Sequence, residues 1–151
     1  MKNFKFLALS VLTTVLLTGC GSEKTLTCSK TEDSSAGISV EQKIAMTFKN
    51  DKISNVEMSV NSKATSDTIK TYWDTFASTL DAQYPSKDEN GITVSTKNNE
   101  EDYEYTITMG FDLSKASDDD LAEYGLDGIA DSNSKLKDVK ESAEEDGYTC
   151  K

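Results

Sequence analysis

The feature that most constrains the fold is the strict alternation of apolar and polar residues in the segment 103–111 (YEYTITMGF). Its apolar positions are Tyr103, Tyr105, Ile107, Met109 and Phe111. Strand side chains point alternately to the two faces of a sheet, so a period of two is typical of a half-buried strand. The polar turn at 98–102 connects this segment to another alternating one, residues 92–96. Together they predict a β-hairpin.

A second hairpin is predicted further upstream. Residues 38–48 and 52–60 alternate in the same way, with Asn50-Asp51 as the turn between them. Ile53 is out of phase with the rest of its strand, so we expect a β-bulge near Ser54-Asn55 that restores the register.

The segment 66–84 changes to helical spacing. Its apolar residues are Ile69, Tyr72, Trp73, Phe76, Leu80 and Tyr84. Ser66 suits the N-cap and Pro85 ends the helix, so we predict one long amphipathic helix. The aromatic residues predicted for the core are Tyr72, Trp73, Phe76, Tyr105 and Phe111. The stripe is also compatible with a ligand groove, but helical spacing favours the core.

Two acidic segments follow the strands. Ser117 and the three aspartates after it indicate an N-cap with an acidic first turn. The alternative is a Ca²⁺ or Mg²⁺ site, but the downstream residues do not match the calcium-loop pattern, so we predict no metal site. Residues 135–146 predict a C-terminal surface helix that ends at Gly147. The fold class is therefore α+β: an antiparallel sheet built from two hairpins, with a long helix and a C-terminal helix on one face.

The N-terminus carries a different signal. Lys2 and Lys5 precede an uncharged run at 6–17, which is too short to span a membrane and has the length of a signal-peptide core. It ends in Leu-Thr-Gly-Cys at Cys20, which resembles the lipobox of bacterial lipoproteins. The alternatives are an ordinary signal peptide with a chance cysteine and a buried amphipathic segment.

The lipobox resemblance implies a defined organisation of the chain. Residues 1–19 would be the signal peptide, 20–24 a lipidated tether and 25–151 a single α+β domain. Cys20 would carry the diacylglycerol, so the protein would be anchored to the extracytoplasmic face of the cell membrane. A four-residue leash would hold the domain within about 20 Å of the lipid.

Charge excludes several functions. The chain has 16 Lys, no Arg, no His and 27 Asp+Glu. Loss of Lys2 and Lys5 with the signal peptide leaves 14 Lys and a net charge of −13. Such an anionic chain lacks the cationic footprint that nucleic-acid binding requires. Without histidine, Ser-His-Asp and Cys-His catalysis are excluded too. We therefore predict no catalytic residue, no cofactor and no enzyme activity.

The other two cysteines lie at opposite ends of the predicted domain. Cys28 and Cys150 each sit in a short β-prone segment, and an exported domain favours a disulfide between them. Two free, buried thiols are the alternative. A catalytic or metal role is not favoured, because no Cys-x-x-Cys and no adjacent base are present.

The order of elements resembles the small, largely uncharacterised lipoproteins of the YehR type. The resemblance is carried by the lipobox, by Thr65-Ser66-Asp67 and Ala82-Gln83-Tyr84 at the ends of the helix, by the Thr/Tyr-rich hairpin, and by Gly147-Tyr148. It implies the α+β layout and no activity. The pair Cys28 and Cys150 departs from the family pattern.

These observations lead to one functional expectation and two alternatives. We expect a non-catalytic binding or interaction module at the envelope, monomeric, whose ligand is an unknown protein or small molecule. The alternatives are an accessory subunit of a membrane complex and, less favoured, a carboxylate-based hydrolase. We also expect the acidic faces to point away from anionic headgroups.

Overall fold

The computed structural model describes residues 23–126 and 135–151. In this part of the chain, seven strands form one antiparallel sheet in the order β4-β5-β6-β3-β2-β1-β7. The strands are β1 (Glu23–Ser34), β2 (Ile38–Lys49), β3 (Lys52–Ala64), β4 (Lys87–Glu89), β5 (Ile92–Asn99), β6 (Glu104–Asp112) and β7 (Thr149–Cys150). The helices are α1 (Asp67–Thr71), α2 (Trp73–Gln83), α3 (Asp118–Ala122) and α4 (Leu136–Glu145). This architecture confirms the predicted α+β class.

The two faces of the sheet differ in chemistry. One face carries the apolar row of each long strand, and its most buried members are Leu26, Phe48, Val56, Ile92, Tyr105 and Phe111. Residues of the helices pack against this face and complete the hydrophobic core. The paired strands direct polar side chains to the other face, which we call the open face. The core therefore lies in a single layer between sheet and helices.

The β2–β3 connection follows the predicted turn chemistry. Asn50 (φ 53°) and Asp51 (φ 60°) both adopt positive φ, as a two-residue type I′ turn requires. Thr47 pairs with Asn55 while Phe48 pairs with Ile53, so Ser54 is the extra residue of a bulge. Its hydroxyl donates to the carbonyl of Thr47 at 3.1 Å. The predicted bulge is confirmed, and it keeps both Ile53 and Val56 on the buried face.

The prediction of one long helix over residues 66–84 is wrong. Ser66 caps α1 as expected, accepting a hydrogen bond from the Ile69 amide at 3.3 Å. Tyr72 (φ −106°, ψ 15°) then ends α1 with its amide donating to the Ile69 carbonyl, and α2 begins at Trp73. On either side of this break, Trp73 is buried in the core with 2% exposure and Tyr72 is 64% exposed. The assignment of Tyr72 to the core is therefore corrected.

The N-terminal boundary also needs correction. Glu23 and Lys24 pair with Lys49 and Phe48 as part of β1, so they do not belong to a tether. The sheet begins two residues earlier than the predicted domain. The predicted signal peptide (residues 1–19) and Cys20 lie outside the described residues.

Candidate functional site

A concave feature with an apolar floor lies between α4 and the strands β1 and β2. It is an open cleft of about 460 Å³. The sheet contributes Cys28, Ile44 and Met46, and the C-terminal segment contributes Val139, Ala143 and Tyr148. No residue of α4 is fully buried, although Leu136, Val139 and Ala143 pack against the core. The helix therefore rests on the sheet without closing the space beneath it.

The rim of this cleft is acidic. Asp138, Ser142 and Asp146 line it along one side of α4. Within residues 23–126 and 135–151, neither aspartate forms an ion pair with a lysine. The glutamates on the far side of the same helix do, because Glu141 pairs with Lys137 at 3.3 Å and Glu144 with Lys140 at 3.6 Å. The two rim carboxylates are thus the charges that a ligand in the cleft would meet.

The end of α4 shapes the far end of the cleft. Gly147 (φ 86°) reverses the chain, with its amide donating to the Glu144 carbonyl and the Tyr148 amide donating to the Ala143 carbonyl. This pair of bonds is a Schellman motif, which favours glycine because of the positive φ. The turn sends Tyr148 back over the sheet, where it becomes part of the cleft wall.

Lys30 lies beside this end of the cleft. Its ammonium is 5.8 Å from the centroid of the Tyr148 ring and 2.7 Å from a carboxylate oxygen of Glu32. The hydrogen bond to Glu32 raises the pKa of Lys30. Glu32 is therefore its ion-pair partner, and the charge of the rim residue Asp146 also contributes to the raised pKa of Lys30.

The predicted disulfide is confirmed and lies in the cleft wall. Cys28 of β1 and Cys150 of β7 are opposite each other in the antiparallel ladder, and their sulfurs are bonded across 122 residues of sequence. Mutual hydrogen bonds between Thr27 and Lys151 extend this short pairing. The bridge therefore ties the chain that leaves α4 to the sheet, and it fixes one side of the cleft.

A polar cluster fixes α2 to the opposite half of the sheet. Asp81 accepts hydrogen bonds from the Tyr105 hydroxyl and, at 3.1 Å, from the Thr96 hydroxyl. Trp73 donates from Nε1 to Asn98 at 3.0 Å. Burial, together with the Asp81 contact, raises the pKa of Tyr105. Since the Tyr105 side chain is fully buried, these contacts position the helix.

The open face of the sheet has a shallow depression of about 310 Å³ around Gly110. Gly110 lies beside Glu57 and Thr93 in the ladder, and a Cβ at this position would come within 2.6 Å of the Thr93 hydroxyl. The paired strands present no aromatic side chain on this face. The lining of the depression is mixed, because Ala45, Val56 and Phe111 contribute to it beside polar residues such as Glu57 and Thr93.

The remaining sequence-predicted positions have structural roles. Trp73, Phe76, Tyr105 and Phe111 belong to the core or pack against it, as predicted. The Ser117 hydroxyl accepts from the Asp120 amide at 3.2 Å, which makes it the predicted cap of α3. In the described parts of the chain, no group of three or more His, Cys, Asp or Glu side chains is arranged to hold a metal ion.

The cleft itself is not apparent from the sequence. Ile44, Met46 and Val139 belong to apolar stripes, and such stripes predict burial but not a space between the elements that carry them. The one available signal was the narrow stripe of α4, because a helix with so few apolar residues cannot cover a sheet completely.

Comparison with known proteins supports the fold class. No known family model matches the chain, and no curated protein matches it either. The chain is similar to the NMR structure of a protein from Streptococcus pneumoniae TIGR4, with a TM-score of 0.58. The two are 19% identical, over 100% of this chain and 98% of that chain. At this identity the likeness concerns the fold alone. Across residues 23–126 and 135–151, no helix has the length and apolar character needed to cross a membrane.

Proposed function

We propose that this protein is a lipid-anchored, extracytoplasmic binding module that takes its ligand in the cleft beneath α4. The observation that carries the proposal is the chemistry of that cleft: an apolar floor of Ile44 and Met46 beside two carboxylates that have no lysine partner among the described residues. Apolar concavity with a few polar groups at its edge is the usual form of a binding site. The volume of about 460 Å³ is within the range of such sites.

The anchor is the lipid on Cys20, in keeping with the lipobox-like sequence before it. β1 begins at Glu23, so only Gly21 and Ser22 separate this cysteine from the sheet. That length of extended chain reaches about 10 Å, so the domain stays close to the outer surface of the membrane. The resemblance to YehR-type lipoproteins belongs to the same proposal.

The distribution of charge supports an orientation for the anchored domain. α3 begins with three aspartates, and α4 carries Asp138 and three glutamates against two lysines. Anionic headgroups repel such a surface over a Debye length of about 8 Å at physiological salt. The helical side, with the cleft, therefore faces away from the membrane and towards a ligand in the envelope.

A non-catalytic role fits the placement of the carboxylates. Asp81 and Asp120 are occupied in hydrogen bonds that hold α2 and cap α3. Asp138 and Asp146 flank an apolar floor, and the Ser142 hydroxyl between them has no histidine to activate it, because the sequence contains none. Such an arrangement attracts positive charge and does not activate water.

The proposal is tested by site-specific photocrosslinking in intact cells. A photoreactive residue replaces Ser142 at the cleft rim or, as the matched control, Glu141 on the far side of α4. We expect an adduct of defined mass from position 142 only. In a separate fractionation, Cys20→Ser should release the protein from the membrane fraction. Equal adducts from both positions, or membrane retention of Cys20→Ser, would contradict the proposal. A stoichiometric membrane protein as the adduct would favour the accessory-subunit alternative.

A further inference from the structure

The spacing of charge along the cleft defines the class of ligand that fits it. Asp138 and Asp146 are eight residues apart in sequence, one near the start of α4 and one at its C-cap. At 1.5 Å per residue, the helix separates them by about 12 Å along its axis. The apolar side chains of Val139 and Ala143 lie between them on the same side of the helix.

We propose that the ligand is an extended cationic peptide segment of a partner protein, with the alternation Lys-x-Leu-x-Lys or its arginine equivalent. This inference rests on the proposed function, because it uses the same cleft. In an extended chain, residues i, i+2 and i+4 point to one side. At about 3.4 Å per residue, the two cationic positions are about 14 Å apart, which matches the separation of the two aspartates.

The apolar position of such a segment matches the floor of the cleft. When its two cations meet Asp138 and Asp146, its central side chain lies over Met46 and Ala143. Met46 is an unbranched and adaptable partner for an apolar side chain. Because the cleft is open to solvent along α4, a peptide segment within a longer chain can bind there without threading through an opening.

The sign of the charge selects against other ligands. The mature chain carries −13, so anionic ligands are repelled before they reach the rim. Lys30 lies at the Tyr148 end of the cleft, but it is paired with Glu32 at 2.7 Å. A cationic segment is attracted by the whole domain and finds its specific partners at the rim.

The test is an amide chemical-shift titration of the ¹⁵N-labelled mature chain, residues 20–151, with Cys20→Ser to prevent lipidation. The seven strands and four helices described above all lie within this range. The probes are blocked heptapeptides built on Lys-Ser-Leu-Ser-Lys, with Glu-Ser-Leu-Ser-Glu and Gln-Ser-Leu-Ser-Gln as charge controls. A fourth peptide, Lys-Leu-Ser-Ser-Lys, keeps the composition and moves leucine to the opposite side of the strand.

The decisive variants differ only in the side of α4 that they neutralise. Asp138→Asn with Asp146→Asn removes the rim charges, whereas Glu141→Gln with Glu144→Gln removes the same charge from the far side. We expect Lys-Ser-Leu-Ser-Lys to bind about five- to tenfold more weakly to the rim variant and unchanged to the far-side variant. The displaced-leucine peptide should also bind more weakly.

Each other outcome has a defined meaning. Equal weakening by the two variants overturns the inference, because it indicates unspecific attraction by net charge. The ligand class is wrong if the glutamate or glutamine peptide binds as tightly as the lysine peptide, or more tightly, and if Ala143→Trp abolishes that binding. The cleft would then remain the binding site, for another class of ligand. If no peptide shifts the amides of Met46, Val139 and Tyr148, the inference fails. The proposed function fails with it only if the cleft also binds no neutral apolar probe such as Nile red.

Discussion

Tyr148 donates a hydrogen bond of 2.6 Å from its hydroxyl to the side-chain oxygen of Gln42, a residue 106 positions earlier in the chain. The bond joins the segment that leaves α4 to β2, at one end of the cleft. Two residues later, Cys150 is bonded to Cys28 of β1. The C-terminal segment is thus attached to two neighbouring strands, and these attachments help to hold α4, none of whose residues is fully buried, above the sheet.

Removing the Tyr148 hydroxyl tests this attachment. Tyr148→Phe keeps the ring in the cleft wall and deletes only the hydrogen bond, so the free energy of unfolding should fall by about 1 kcal/mol. Urea denaturation measures the change. Tyr72→Phe on the exposed Tyr72 is the control, and it should leave the midpoint unchanged. Equal effects of the two substitutions would contradict a role for the Gln42 contact.

The disulfide should contribute more to stability than any single hydrogen bond. It closes a loop of 122 residues, and the chain-entropy model gives about 4–5 kcal/mol for that length. Cys28→Ala with Cys150→Ala should therefore lower the free energy of unfolding by about 4 kcal/mol in urea. Amide exchange at Thr149 and Lys151 should accelerate as well. Two alkylated thiols on the native protein, detected by mass spectrometry, would contradict the bridge.

Trp73 and Tyr72 are adjacent in sequence and opposite in role. Trp73 contacts Phe76 with ring centroids 5.2 Å apart, and Tyr103 at 6.1 Å with the rings at 88°. Trp73→Ala should cost about 3–5 kcal/mol, because it leaves a cavity in the core. Tyr72→Ala should change the stability by no more than about 0.5 kcal/mol. Comparable losses, measured by urea denaturation, would contradict the break between α1 and α2.

The break between α1 and α2 could not be predicted from the sequence. The apolar spacing of residues 66–84 is continuous, so periodicity alone predicts one helix. In the structure, Trp73 contacts Asn98 of β5 and Tyr103 of the turn before β6. These partners are distant in sequence, so the local pattern does not reveal the interruption. The strands themselves were more predictable. β6 buries every second residue along its whole length, and β2 does so at Met46 and Phe48, so their local pattern and their tertiary environment agree there.

The edges of the sheet were the least predictable part. β1 extends from Glu23 to Ser34, yet only Leu26 and Cys28 of it are fully buried, so the apolar alternation covers a small part of the strand. β4 (Lys87–Glu89) consists of three charged residues, which is typical of a protected edge and leaves no apolar pattern to detect. The cleft could not be predicted either, because its existence depends on how closely α4 approaches the sheet, and no local sequence pattern encodes that distance.

Asp112 should make stability depend on pH in the acid range. The carboxylate accepts hydrogen bonds from Lys115 at 2.8 Å and from Ser114, which lower its pKa from 3.8 to about 2. A lowered pKa in the folded state means that this stabilisation is complete above the unfolded value and is lost as pH falls towards 2. Asp112→Asn should therefore destabilise the protein at pH 6, by at most about 1 kcal/mol.

The direction of this pH dependence is measured by comparing the urea midpoints of the parent protein and Asp112→Asn at several pH values. The difference in urea midpoint between the parent and Asp112→Asn should shrink steadily between pH 4 and pH 2, because the carboxylate becomes half protonated in the folded state near the lower end. Asp74→Asn, at an exposed position of α2, should stay within about 0.5 kcal/mol of the parent at each pH. A difference for Asp112→Asn that persists unchanged down to pH 2 would contradict the assigned contacts.

The central claim is that the space beneath α4 accepts an apolar group, and binding of a neutral, environment-sensitive dye tests it most directly. Nile red added to the mature chain should show a saturable rise in fluorescence. Ala143→Trp fills the cleft and should abolish the rise, whereas Ala82→Trp, on the exposed side of α2, should leave it unchanged. Equal dye binding by the parent and both variants, or no binding by the parent, would contradict the account.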